Sequence, residues 1–377
     1  MKDYLMMTPG PTTIRENVRR AMMQPITNPD LDGDFFTLYK EVTEQFKQLV
    51  DTKEAAYILC GEGILGLEAA CASLIEPGDR VLCLENGIFG KGFGDFVEMY
   101  GGQVVYFSGH PQKGIDPEAL KIFLEKDHDF KMATLVHCET PSGITNPVHL
   151  LAPILKEKGI LTVVDAVSAV GGEEMHADAW GIDILLVGSQ KCLSAAPGLT
   201  LVTVSADAIA AMENRKVPIV GFYANLMIWK EWESKQWFPY TQPISDIYGL
   251  KVALENALAE DDMVARHRVL AERCRQTVLA AGLELFPIEA YANTVTAVQQ
   301  PASVDFKQLF NYMKDEYGLL MAGAFGDLEG KVIRIGHMGE NANASMLSRM
   351  FDVFQKGLEA QGVQLDVDMK QYFDSIN

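Results

Sequence analysis

Apolar residues gather in short runs between Ala55 and Val204, at 55–60, 80–85, 103–107, 132–138, 160–166, 183–189 and 199–204, with stretches of helical character between them. Strand-length runs alternating with helices predict βαβ units and a largely parallel sheet, here of seven strands. Helix signals fall in the gaps. Gly63 to Ile75 ends at a Glu-Pro-Gly-Asp stop, Asp116 and Pro117 open the next helix, and Pro147 opens one that stops at Gly159. Ligands of open α/β sheets collect at the carboxyl ends of the strands, so polar residues just beyond these runs are the first candidates for chemistry.

Residues 207–249 break the rhythm. Trp229, Trp232, Trp237, Pro239 and Pro243 predict irregular surface or interface structure there. A single long helix is expected from near Asp246 to about Ala281, from its apolar positions at helical spacing. Beyond it, strand-like 294–299 and 331–336 and helical 305–317 and 343–361 predict a small α+β unit. The expected division is an N-terminal arm and large domain over 1–260 and a small C-terminal domain over 261–377.

With 377 residues, the chain has room for two or three domains. Its 48% hydrophobic and 22% charged content excludes a disordered or fibrous protein. Acidic residues outnumber basic ones 51 to 32, a formal charge of −19, which argues against nucleic acid or an anionic membrane as partner. Six cysteines stand without a CxxC pair or metal-ligand spacing, so buried free thiols and no metal site are expected. No run approaches the ~18 apolar residues of a membrane span, and the N-terminus lacks a basic stretch followed by an apolar core. A soluble, cytoplasmic protein is the expectation.

The most informative segment is LLVGSQKCLSAAPGL (185–199), where an apolar strand ends in a polar turn carrying Lys191. A lysine there can form a Schiff base with an aldehyde cofactor; alone, it reads as a solvated surface lysine. Asp165 changes that balance. It ends another apolar strand 26 residues earlier, the length of a helix and a returning strand, and a carboxylate so placed can keep a pyridinium nitrogen protonated.

The surrounding segments make the pattern specific. TPGPT (8–12), CGEGILGLEAA (60–70), ENGIFGKGFG (85–94), HCETPSGITNP (137–147), DAVSAVGG (165–172), GSQKCLSAAPGL (188–199), FPYTQPISDIYGL (238–250) and RIGHMG (334–339) follow the order of the class V aminotransferases. The chain resembles the alanine-glyoxylate aminotransferase group of that class over about residues 8–340, with phrases closest to the pyridoxamine-pyruvate transaminases. The resemblance implies an aspartate-aminotransferase-like α/β large domain that binds pyridoxal 5′-phosphate. It also implies transfer of an amino group to a small 2-oxo acid, pyruvate or glyoxylate, with alanine as a donor. Lys191 would be the Schiff-base lysine and carry the proton, a task that needs a neutral amine. Asp165 would pair with the ring nitrogen, Thr140 with the ring's phenolic oxygen, and Phe89 would lie against the ring face. Arg334 would grip the substrate carboxylate through two parallel hydrogen bonds, and Gly10 would let the N-terminal backbone approach the substrate. The plain alternatives are a core phenylalanine at 89 and a structural ion pair at 334. His137 reads as a satisfied strand histidine rather than a second base.

At the cofactor's far end the resemblance implies a loop of Glu62, Gly63 and Ile64, with Gln190 and Thr241 reaching the phosphate. Thr241 and Tyr240 would come from a neighbouring subunit, in a homodimer or higher oligomer with shared sites. Glu62 complicates this end: unit negative charges 4 Å apart repel by about 4 kcal/mol at an effective dielectric of 20. It also matches the glutamate with which pyridoxamine-pyruvate transaminases meet an unphosphorylated hydroxymethyl group, so free pyridoxamine or pyridoxal as substrate is the alternative. Against that alternative, Gly63 stands where those enzymes have proline. Phe325 stands where they have a second carboxylate-binding arginine, and Asn28 and Pro29 lie where a tyrosine is expected. A cysteine desulfurase-type lyase would need a mobile catalytic cysteine, for which Cys192 is the candidate.

Overall fold

The computed structural model describes residues 4–376. Its centre is a seven-stranded sheet built from β1 (Ala55–Cys60), β2 (Arg80–Glu85), β3 (Gln103–Ser108), β4 (Met132–Val136), β5 (Leu161–Asp165), β6 (Ile184–Gly188) and β7 (Leu199–Val204). Their order across the sheet is β1-β7-β6-β5-β4-β2-β3. β7 runs antiparallel to both neighbours, pairing Leu199 with Cys60 and Thr200 with Gly188, and every other pair is parallel. The expected seven strands and mainly parallel sheet are therefore present. β4, β5 and β6 are buried almost throughout, as a sheet covered on both faces requires, while the edge strand β3 alternates in exposure.

The crossover helices begin where their caps stand. α1 (Gly63–Leu74) starts after Glu62, whose side chain accepts from Ile64 N; α2 (Ile88–Met99) starts after Gly87, which offers no side-chain bond. α3 (Pro117–Lys126) is capped by Asp116, which accepts from Glu118 N and Ala119 N, and α4 (Val148–Glu157) follows Pro147. α1 is buried on nearly every side, so its apolar residues do not fall on one stripe.

The long helix expected over 246–281 is instead two, α5 (Ile244–Leu258) and α6 (Met263–Ala280). Asp262 leaves the helical conformation, at φ −153° and ψ 86°, and its carboxylate accepts from Ala265 N, so the Ala-Glu-Asp-Asp stretch ends one helix and caps another. Beyond it, β8 (Val295–Gln299) and β9 (Ala322–Gly323) flank β10 (Val332–Gly336) in an antiparallel sheet, with α7 (Phe306–Tyr317) and α8 (Ala344–Glu359).

Two apolar clusters hold the chain. One fills the space around the large sheet between Val18 and Val295; the other gathers Met7 with residues from Leu270 to Phe373. The N-terminal segment joins the second: Leu5–Met6 pair in parallel with Leu319–Leu320, and Gly336 N donates to Met7 O. From there the chain crosses towards the large sheet, where Thr12 Oγ1 bonds to Lys191 O at 2.9 Å and to Ser194 Oγ at 3.0 Å. This segment ties the strand carrying Arg334 to the turn carrying Lys191.

Candidate active site

The carboxyl ends of β5 and β6 place Asp165 and Lys191 on one cavity of about 80 Å³, lined also by Glu62, Gly63, Ile64, Leu67, Phe89, Cys138, Val167 and Ser168. Six sequence-chosen residues thus meet: Lys191, Asp165, Phe89, Glu62, Gly63 and Ile64. Lys191 Nζ donates to Pro9 O at 2.6 Å. Burial and then the Arg334 charge lower the amine's affinity for its proton, against the pull of Asp165. Gly10, at φ +87°, makes this approach possible: a Cβ there would lie 2.7 Å from Nζ. The backbone that Gly10 brings close is packed on the lysine amine itself.

Asp165 is buried, and its Oδ1 accepts from Val167 N at 2.9 Å. Burial pushes its carboxyl up to about 6; the Val167 N–H and Lys191 hold it down, and Glu62 adds to the rise. Thr140 is buried, and its hydroxyl makes no hydrogen bond to another described residue. Phe89 is half-buried and meets Phe325 edge to face, with centroids 5.9 Å apart.

Arg334, 9% exposed at the centre of β10, donates through Nε to Gly323 O at 2.9 Å. No carboxylate among the described residues pairs with it, and its two terminal nitrogens make no hydrogen bond to them. Burial pushes the guanidinium down to about 10, still charged at neutral pH, and the Phe325 ring lies 5.4 Å from its central carbon. A structural ion pair, the plain alternative at this position, is absent. A charged fork held without a counterion is ready for a carboxylate from outside.

The other end of the cavity is the start of α1. Glu62 Oε1 accepts from Ile64 N and Glu62 Oε2 from Gln190 Nε2, both at 3.3 Å. Gln190 is buried and its Oε1 has no partner. Gly63 packs so closely that a Cβ would lie 2.7 Å from Val167 Cγ2, and Ile64 is exposed. Tyr240 and Thr241 do not line this cavity within one chain. Tyr240 stacks on Tyr223 at 4.5 Å, and Thr241 is exposed.

A larger groove of about 1040 Å³, lined by His137, His149, Trp180, Glu173 and Arg268 among others, contains none of these residues. His137 is buried beside Trp180 with Nδ1 unpartnered, so it is not the satisfied histidine expected; burial pushes it down to about 3, and it stays neutral. Cys192 is buried and burial pushes its thiol up to about 12, the opposite of what a reactive thiolate needs. Among the described residues no acidic, histidine or cysteine cluster could hold a metal, and no helix is long and apolar enough to cross a membrane.

Sequence reasoning passed over Glu139. It is wholly buried, accepts hydrogen bonds from the first turn of α2, and burial pushes its carboxyl up to about 7. Its signal was a carboxylate at a strand end directly before Thr140.

An amine, a carboxylate with one free oxygen and a flat aromatic face around one cavity fit a pyridine-ring aldehyde. At the α1 end, Glu62 already occupies the Ile64 N–H of the helix's first turn. Comparison with known proteins identifies the family. Residues 12–311 match the family described as Aminotransferase class-V. An uncharacterized aminotransferase of Methanocaldococcus jannaschii is 34% identical over 370 residues, 94% of this chain and 96% of that one. Pyridoxamine–pyruvate transaminase of Mesorhizobium japonicum is 35% identical over 341 residues, 89% and 86% of the two chains. The crystal structure of ureidoglycine-glyoxylate aminotransferase from Bacillus subtilis superposes with a TM-score of 0.95 at 28% identity, over 99% of this chain and 97% of that one. The chain belongs to the class-V aminotransferases, enzymes that depend on pyridoxal phosphate.

Proposed function

From that membership we propose that the protein transfers an amino group to a small 2-oxo acid, pyruvate or glyoxylate, with alanine as a donor and Lys191 as the catalytic amine. The observation that carries this reading is the buried Arg334 fork, unpartnered and electrostatically coupled to the Lys191 amine. Bound pyridoxal phosphate supplies an aldehyde carbon that an amine can attack and an electron-withdrawing ring.

The chain's own groups do the rest. Burial and the Arg334 charge lower the proton affinity of Lys191, which favours the neutral Nζ that a nucleophile needs, and the same nitrogen would take and return a proton when free. Asp165 would hold a proton on the ring nitrogen through its free oxygen, the Thr140 hydroxyl would donate to the ring oxygen, and Phe89 would cover one face. Gly63 N–H, Ile64 N–H and Gln190 serve the far end. Arg334 binds and orients the substrate carboxylate, while Phe325 and Phe89 wall that position with aromatic surface. One cation beside an apolar wall favours a substrate with a single carboxylate and a small uncharged side chain. Tyr240 and Thr241 act from a second copy in a homodimer. Support for this lies in the exposed aromatic residues Phe222 and Tyr223, whose rings lie 6.4 Å and 4.5 Å from that of Tyr240.

A second reading, with unphosphorylated pyridoxamine as amino donor, is favoured by one observation. Glu62 already caps α1 through Ile64 N and takes a hydrogen bond from Gln190, and a carboxylate accepts well from a hydroxymethyl group. One experiment tests both readings: incubation with equal pyridoxal and pyridoxal 5′-phosphate, borohydride reduction, digestion and mass spectrometry. A phosphopyridoxyl group on Lys191 supports the first reading and an unphosphorylated one the second. An adduct elsewhere, with Lys191 free, would overturn the catalytic assignment.

A further inference from the structure

Glu139 is a buried carboxylate that forms no ion pair among the described residues. One oxygen accepts from Phe89 N at 2.9 Å and the other from Gly90 N at 3.0 Å. Both amides belong to the first turn of α2, whose own N-cap Gly87 makes no side-chain bond. The carboxylate therefore caps that helix from a different segment, the chain just beyond β4, and satisfies two N–H groups that the helix cannot. Glycine at 87 leaves the room for it, because a Cβ there would overlap Glu139 Cγ.

The amide that Glu139 holds is that of Phe89, whose ring lines the Lys191 cavity. The charged groups that face Glu139 are Asp165, at the end of β5, and Glu85, at the end of β2. With burial, these carboxylates push Glu139 up to about 7, against the pull of the two amides. Ionised, it is the stronger acceptor and complements the positive end of α2. Protonated, one of its oxygens becomes a hydroxyl facing an N–H.

We propose that Glu139 is a positioning residue for the cofactor: its carboxylate fixes the first turn of α2 and so sets the Phe89 ring against the pyridine face, and cofactor affinity rises as Glu139 ionises. This rests on the reading of Phe89 as the ring's partner. The test measures two quantities in the full-length protein, wild type, Glu139→Gln and Phe89→Ala. One is the pyridoxal 5′-phosphate dissociation constant on both sides of pH about 7; the other is amide exchange over 88–92 in the cofactor-free protein. Glu139→Gln keeps one acceptor and turns an amide N–H₂ towards the other donor. It is expected to speed exchange over 88–92, to raise the dissociation constant about tenfold, and to erase the transition near pH 7. A purely structural role would leave that transition in place.

Glu139→Gln with a dissociation constant within about twofold of wild type and the transition intact overturns the proposal. Phe89→Ala separates it from the reading beneath: unchanged affinity there removes Phe89 as ring partner, while fast exchange in Glu139→Gln alone still identifies the anchor. Should Glu139→Gln not fold, Glu139→Asp, one methylene shorter and able to reach only one of the two amides, carries the same measurements with the same expected signs.

Discussion

Two carboxylates line one cavity, and their surroundings give them opposite characters. Asp165 is set into the sheet at the end of β5, buried, with one oxygen held by Val167 N and its carboxyl pushed up to about 6. Glu62 stands exposed at the start of α1, shared between Ile64 N and Gln190. The first is built into the core and pays for its burial only when a cation arrives to match it. The second is held by two long hydrogen bonds at an exposed helix end and can turn aside. The Asp165 side of the cavity is thus fixed by the fold, whereas the Glu62 side is adjustable.

If that contrast holds, damage should grow towards Asp165 and Lys191. Lys191→Ala should lower kcat by at least about 10⁴-fold and abolish the borohydride adduct, read by steady-state kinetics and mass spectrometry. Asp165→Asn should lower kcat/KM by roughly 10²–10³-fold, since it leaves the ring nitrogen without a buried anion. Arg334→Leu should cost about 10²-fold in kcat/KM for the oxo acid, and Phe325→Arg should shift preference towards dicarboxylates, both checked with pyruvate and a dicarboxylic 2-oxo acid in parallel. Glu62→Ala should lower stability by about 1 kcal/mol or less through the lost cap, while changing the ratio of phosphorylated to unphosphorylated cofactor bound. An equal loss of turnover in Glu62→Ala and Asp165→Asn would erase the contrast.

The smallest effect is in stability against pH. Asp165 has a folded value near 6, above its ordinary 3.8, so its protonated form is favoured by folding. Its contribution to the cofactor-free protein is fully present below about 4 and is lost as pH rises through about 6. Cofactor-free Asp165→Asn should therefore gain on wild type in thermal stability as pH rises across that window. A constant difference would mean that Asp165 is not penalised by burial.

Sequence legibility follows the same division. Lys191, Asp165 and Arg334 each end or centre an apolar run, where strand periodicity and the rule for sheet edges assign them a place. The Asp116 cap was readable, because a cap acts on residues two or three positions away. The break at Ala259–Asp262 was not. Helical spacing continues across it, and only the Asp262 bond to Ala265 N ends the run.

Glu139 capping α2 from fifty residues away was invisible for a deeper reason: a hydrogen bond between distant segments leaves no periodicity behind. His137 was misread on the same ground, since whether a buried nitrogen finds a partner depends on neighbours that other segments supply. The sequence by itself determined the seven strands, their alternation with helices and the residues at their ends, because hydrophobic period and capping act locally. Only the tertiary structure decided that the N-terminal segment bridges Arg334 to Lys191, that the Arg334 fork is left without a counterion, and that Glu139 holds Phe89. Those contacts join segments far apart in the chain, and burial, which sets the charge state of each group, belongs to the packed whole.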